Sequence, residues 1–131
     1  MSRTGILFIV ALCLSIPAAA QPGTETVTVL YPDTYQVPEG IGDRVYEALI
    51  EAFDDHSSYE SSELPPQTLD DLLFAIGCDG DRLECATNAG ELLETDLLLW
   101  GSVSGSGDAF LVEFVLWDVS LSTSRYHYSK G

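Results

Sequence analysis

The chain has 131 residues, 21 of them acidic against 5 basic, for a formal net charge of −16; that length accommodates one domain, or one domain with a short appendage. Hydrophobic residues make up 46% and include two Trp, six Tyr and five Phe, enough to build a core, so long disorder is excluded despite the charge. A nucleic-acid partner is excluded too, because a phosphate backbone needs a Lys/Arg surface, and anionic lipid is disfavoured for the same reason.

Residues 1–20 read as an address rather than as part of the fold. Arg3 supplies a short positive region, and Ile6 to Ile16 is an apolar run broken by Ser15. Pro17 then leads into Ala18-Ala19-Ala20, a small-residue signal that sets cleavage between Ala20 and Gln21. The run falls well short of the roughly 20 residues that span a bilayer, and no long apolar helix continues past Ala20, so an uncleaved signal anchor is the weaker reading. Cys13 lacks the small preceding residue that lipid attachment requires, since Leu12 stands there; it is an ordinary member of the apolar run. Removing residues 1–20 takes away one base and no acid, leaving 111 residues with a net charge of −17. The mature chain has no membrane-length apolar segment, and the expected location is exported, periplasmic or extracellular.

After a polar lead, Thr26 to Tyr31 is β-branched and alternating, the pattern of a strand. Pro32-Asp33 ends it, and a loop runs to Pro38. Ile41, Val45, Ala48, Leu49, Ala52 and Phe53 then fall at helical spacing, with Asp43, Arg44, Glu47, Glu51 and Asp54 on the opposite face. Ser57 to Leu64 reads either as a short edge strand around Tyr59 or as a loop, and Pro65-Pro66 breaks the chain. Thr68 to Asp71 resembles a capping box, Leu69, Leu72, Leu73 and Ile76 share one helical face, and Gly77 stands where a helix end wants a left-handed residue. Asp81 to Glu84 repeats the capping pattern ahead of a second stripe of Leu83, Ala86, Ala89, Leu92 and Leu93. Leu97 to Val103 is a short apolar run, the signature of a strand buried on both faces. Gly105 to Asp108 forms a hairpin turn, Phe110 to Val119 the returning strand, and Ser124 to Tyr128 a third strand after a second turn. The order β-α-(β)-α-α-β-β-β specifies an α/β domain over residues 21–131, in two layers: a mixed sheet of about four to five strands with helices on at least one face.

Cys78 and Cys85 flank the turn between the last two helices. An even pair in an exported chain reads as a disulfide, stapling the end of one helix to the start of the next. The alternatives are free thiols, or a metal or redox pair; against the latter, the spacing is not C-x-x-C and neither His56 nor His127 is near in sequence.

Two blocks of residues resemble a known group. One is Val27-Thr28-Val29-Leu30 with the helix Ile41–Phe53. The other runs from Cys78 through Cys85-Ala86-Thr87-Asn88-Ala89-Gly90-Glu91-Leu92-Leu93-Glu94-Thr95-Asp96-Leu97-Leu98-Leu99-Trp100-Gly101-Ser102-Val103, followed by a hairpin and a strand with Asp118. They look like the small α/β domain of TolB amino-terminal and CsgG-like envelope proteins, a group that includes the LpoB-type activators of penicillin-binding proteins. The resemblance covers about 100 residues of the mature chain. It departs in having Thr95 where a small residue usually precedes Asp96. It also departs in stopping after the last strand, where relatives continue with a helix, so the chain is either a minimal version or a piece of a longer protein. The resemblance implies a non-enzymatic role in docking, assembly or regulation at the cell envelope, with an envelope protein as partner, and transfers no binding residue to any position.

Signatures of chemistry are weak by comparison. His127 sits between Tyr126 and Tyr128 on a terminal strand, and Ser102 lies within Gly101-Ser102-Val103 rather than in a G-x-S-x-G elbow, so a nucleophile triad has no frame. A calcium loop started at Asp79 places Leu83 and Gly90 where ligands belong, so Asp79 and Asp81 read as turn and cap. Glu91 and Glu94 are a chance pair in so acidic a chain, and Gly40-Ile41-Gly42 is a helix start without the third glycine of a phosphate loop. No enzyme activity, metal or cofactor is expected. The charge itself reads either as a general surface property, as in a salty habitat, or as a means of steering a basic partner. Tyr126 and Tyr128 alternate on a terminal strand; if that strand is a sheet edge, the edge is the candidate interaction surface, and otherwise the tyrosines simply cover a helix. The expected function is therefore a non-catalytic exported bacterial envelope domain for protein–protein interaction or assembly. The alternative is a small ligand- or cation-binding module that uses its acidic surface.

Overall fold

A computed structural model of the chain describes residues 24–62 and 65–131. The expected signal peptide, Cys13 and the Ala20–Gln21 cleavage site lie outside them. Within the described residues the elements are β1 (Glu25–Val29), β2 (Asp33–Tyr35), α1 (Ile41–Asp54), β3 (Tyr59–Ser61), α2 (Leu69–Ala75), α3 (Arg82–Leu92), β4 (Leu97–Ser106), β5 (Ala109–Asp118) and β6 (Thr123–Lys130). They form one six-stranded sheet in the order β3-β1-β4-β5-β6, with β2 paired to β4. β1 runs parallel to β3 and β4, while β4, β5 and β6 form an antiparallel meander.

The segment expected to be a loop from Pro32 to Pro38 instead contains β2. Along β4, β1 pairs with Leu97–Leu99 and β2 with Ser102–Ser104, so the two short strands follow one another on the same side. Pro32, which has no N–H to give, falls in the gap between them. Asp33-Thr34-Tyr35 has no strand pattern of its own. It is extended because β4 outruns β1 and its backbone groups need partners.

Strand alternation splits the core into two clusters. Val27, Val29, Leu97, Leu99 and Leu116 point to one face, where Tyr46, Leu49, Ile50 and Phe53 of α1 cover them. Leu30, Leu98, Trp100, Trp117 and Val119 point to the other, under Leu69, Leu72 and Leu73 of α2 and Cys85, Ala86 and Ala89 of α3. Helices therefore cover both faces, and β4 is buried on both sides through Leu97, Leu98 and Leu99, as its apolar run predicts. The two amphipathic stripes differ in detail from the sequence reading. α1 is rotated so that Tyr46 and Ile50 face the sheet, while Ala48 and Ala52 are exposed, because the larger side chains remove more apolar surface from water. On α3 the inward face is the small set Cys85, Ala86, Ala89 and Gly90, and Leu83 and Leu92 are exposed. Gly90 explains the choice: a Cβ there would lie 2.4 Å from the Val119 side chain, so the helix can sit this close to the sheet only on small residues.

Local signals set the ends. The Thr68 hydroxyl accepts from the Asp71 N–H at 3.1 Å, and Gly77 adopts φ 73° after α2. Asp81 occupies the N-cap of α3, but its carboxylate makes no capping bond, so the second capping box does not form. The β4–β5 turn is only Gly107-Asp108, tighter than the four residues expected. Asp96 holds the β1–β4 register: its carboxylate accepts from the Thr26 N–H at 2.9 Å and the Thr26 hydroxyl at 3.0 Å. The Thr95 hydroxyl donates to the Leu97 carbonyl at 2.9 Å and lies 3.1 Å from that of Thr26. Thr95 and Asp96 thus form a structural clamp between β1 and β4.

Candidate functional site

β6 forms one edge of the sheet, and all eight of its residues are exposed. Tyr126 pairs with Leu116 and Tyr128 with Phe114, so both tyrosines stand on the α1 face of the sheet. There they wall an apolar groove of about 320 Å³ with Leu49 and Phe53 of α1 and Leu99, Phe114 and Leu116 of the sheet. α1 covers the sheet only as far as this groove. The tyrosines do not lie beneath a helix: Tyr126 keeps 59% of its surface exposed and Tyr128 37%. The far side of the β6 backbone faces no other strand among the described residues.

A bulge anchors the start of this edge. The ladder runs Leu116–Tyr126 and then Trp117–Ser124, leaving Arg125 without a strand partner. Its guanidinium donates to Asp118 Oδ2 at 2.6 Å and to Glu25 Oε1 and Oε2 at 2.6 and 3.0 Å, tying β6 to β5 and β1. Burial by itself would raise the Asp118 carboxyl. The Arg125 guanidinium, the Leu121 N–H and the Ser120 hydroxyl outweigh it and hold that carboxyl below its ordinary range. The sequence carries no signal for this arrangement, because Glu25 and Arg125 are 100 residues apart.

The opposite face holds a second opening, a cleft of about 220 Å³ lined by Asp33, Tyr35, Arg82, Trp100, Ser102, Glu113 and His127, among others. His127 lies on the exposed edge strand β6; that it lines a cleft depends on β5 and β2. His127 and Ser102 share the cleft without touching. β5 stands between their strands, so roughly 10 Å of sheet separates them and no nucleophile–base hydrogen bond joins them. Asp33 carries a raised carboxyl pKa: burial raises it, Asp70 and Asp71 raise it further, and Arg82 opposes them.

The remaining sequence candidates are dispersed. Cys78 and Cys85 are joined as a disulfide with Cα atoms 5.9 Å apart, linking the end of α2 to the first turn of α3. Asp79 and Asp81 are exposed around that link, and Glu91 and Glu94 are exposed at the end of α3. Among the described residues no three His, Cys, Asp or Glu side chains converge to hold a metal ion, and no helix is long and apolar enough to cross a membrane.

No family model and no curated protein matches this sequence. Solved structures do match its fold. The LpoB C-terminal domain from Escherichia coli superposes with a TM-score of 0.58 at 14% identity, over 89% of this chain and 90% of that one. TolB from Acinetobacter baumannii gives 0.56 at 13% identity, over 82% of this chain and 23% of that one. Lipoprotein GNA1162 from Neisseria meningitidis gives 0.55 at 11% identity, over 81% of this chain and 78% of that one. The chain therefore has the fold of the LpoB C-terminal domain, in keeping with the TolB and LpoB side of the resemblance read from its sequence. The CsgG-like side receives no support from these structures.

Proposed function

We propose that this protein is an exported, non-catalytic interaction domain of the bacterial envelope, acting in the periplasm or outside the cell. Its partner would be an envelope protein that adds an extended segment to β6. The carrying observation is the geometry of that edge: a fully exposed eight-residue strand beside an apolar groove walled by Tyr126 and Tyr128. Strand addition uses both features, since the edge backbone supplies hydrogen bonds and the groove takes alternate side chains of the incoming segment. The signal peptide read at residues 1–20, with cleavage between Ala20 and Gln21, supports export, as does the Cys78–Cys85 pair. The likeness in fold to LpoB, TolB and a lipoprotein supports the envelope setting.

The test places a photo-crosslinking residue at Ser129 on β6 or at Glu84 on α3, in residues 21–131 mixed with envelope extract. A partner crosslinked from Ser129 and not from Glu84, and lost in the Tyr126→Ser/Tyr128→Ser double variant of unchanged melting temperature, is the expected result. Crosslinking from Glu84 alone, or capture indifferent to the double variant, overturns the assignment to β6.

A further inference from the structure

The cleft on the face opposite the groove is built by five elements: β2, β4, β5, β6 and the first residue of α3. Strand register arranges its floor. Asp33 pairs with Ser102, and Ser102 with Glu113, so these three stand in one row across β2, β4 and β5. The central side chain is small. With neighbouring strands about 4.8 Å apart, the two acids flank a gap roughly 10 Å wide between their Cα atoms, enough for both carboxylates to accept from one group placed over Ser102. Trp100 lies in the adjacent row, its ring 5.8 Å from that of Trp117, and Tyr35 lies two residues beyond Asp33 on the other side, 57% exposed. The cleft thus combines two carboxylates with two aromatic side chains.

Among the described residues neither carboxylate forms an ion pair. Among the described residues the ion pairs are Arg82–Asp70, Arg125–Glu25 and Arg125–Asp118, so the one arginine that lines the cleft is bonded to an acid outside it. Asp33 is moreover half-buried near Asp70 and Asp71, which makes its charge costly, and Arg82 offsets that cost only in part, since the net effect still raises the Asp33 carboxyl. A cation bound over Ser102 would relieve that cost. An opening of about 220 Å³ is too roomy for a bare metal ion, and with Trp100 and Tyr35 beside the two carboxylates it matches a nitrogen cation carried on an alkyl stem.

We infer that this cleft is a binding site for an organic cation, a primary ammonium or guanidinium group held by Asp33 and Glu113 over Ser102, with its alkyl stem against Trp100 and Tyr35. This site is independent of the β6 edge. Its ligand chemistry has two sources: a free amine, or a lysine or arginine side chain of another protein.

The experiment titrates residues 21–131, at low ionic strength, with n-butylamine, Nα-acetyl-lysine methylamide and Nα-acetyl-arginine methylamide, with sodium and calcium chloride as controls. Amide and indole shifts are followed by NMR. Saturable shifts centred on Asp33, Ser102, Glu113 and the Trp100 indole are expected. Asp33→Asn and Glu113→Gln should each weaken binding about tenfold, the loss of one charge-assisted hydrogen bond. Glu47→Gln/Glu51→Gln on the exposed face of α1, which removes two charges, and Tyr126→Ser/Tyr128→Ser on β6 should leave it unchanged. Asp33→Asn removes a disfavoured charge, so its melting temperature should not fall, and lost binding cannot then be ascribed to unfolding. Tighter binding of the capped residues identifies a side-chain ligand, and preference for butylamine a small molecule; both support the site. Shifts spread over the acidic surface, equal displacement by sodium or calcium, or equal weakening in the α1 variant would overturn it.

Discussion

Arg125 shows how much one side chain can join. A bulge frees it from the ladder, and it bonds a nearly buried carboxylate on β5 and a half-exposed one at the start of β1. Because Asp118 titrates below its unfolded value of 3.8, its contribution to stability is present above that value and is lost as pH falls through the lower, folded one. Arg125→Met leaves the Asp118 carboxylate buried with only the Ser120 and Leu121 donors. A fully buried pair broken in this way costs about 3–5 kcal/mol, and the partial exposure of Arg125 reduces that to about 1–2 kcal/mol at neutral pH. Urea unfolding at pH 7 and pH 3 is the check: the gap between wild type and variant should narrow at pH 3. A gap equal at both pH values would mean that Arg125 acts by packing rather than by charge.

At the level of elements, α2 and α3 are held to one another by the Cys78–Cys85 bond and by a shared cluster on the sheet. Closing a loop of about eight residues is worth roughly 2.5 kcal/mol in the chain-entropy model. Reduction should therefore lower the melting temperature by roughly 10 °C in a domain of this size. The Cys78→Ser/Cys85→Ser variant should melt at the lower value with or without reductant, and a melting curve indifferent to reductant would mean that the packing of Leu72, Leu73 and Ala86 suffices. Most elements were legible in advance, because α1, α2, β1 and β4 each carry strong periodicity or a strong apolar run. β2 was not, since Asp33-Thr34-Tyr35 becomes a strand only through the vacant side of β4. The inward faces of α1 and α3 were half legible. Periodicity finds the stripe, but contact with the sheet decides that Tyr46 and Ile50 turn inward and that α3 rests on Gly90 rather than on Leu92.

Over the whole molecule, charge is the dominant uncompensated quantity. The described residues hold four bases, Arg44, Arg82, Arg125 and Lys130, and two of them lie on β6, which has no acid. The remaining surface is strongly acidic and repels itself across distances that salt screens. Raising sodium chloride from 0.02 M to 0.5 M should therefore raise the melting temperature, by about 5 °C if screening relieves close to 1 kcal/mol of repulsion. A melting temperature that stays level or falls would show that the paired charges, such as Arg125 with Asp118 and Glu25, outweigh the diffuse repulsion.

The sequence by itself determined most of the order of strands and helices, the place of the two cysteines at the turn between two helices and the acidic character, because these depend on residues near one another in the chain or on simple counts. It also marked Tyr126 and Tyr128 as an alternating pair on a terminal strand. Only the tertiary structure decided that this strand is an edge, among the described residues, beside a groove, since that depends on where α1 stops covering the sheet. The opposite cleft was likewise invisible: Asp33, Ser102 and Glu113 are far apart in the chain and meet only through the register of three strands. Local pattern records the preference of a segment for helix or strand and for inside or outside, whereas a site is made by which segments pair, and pairing is fixed by the packing of the whole sheet.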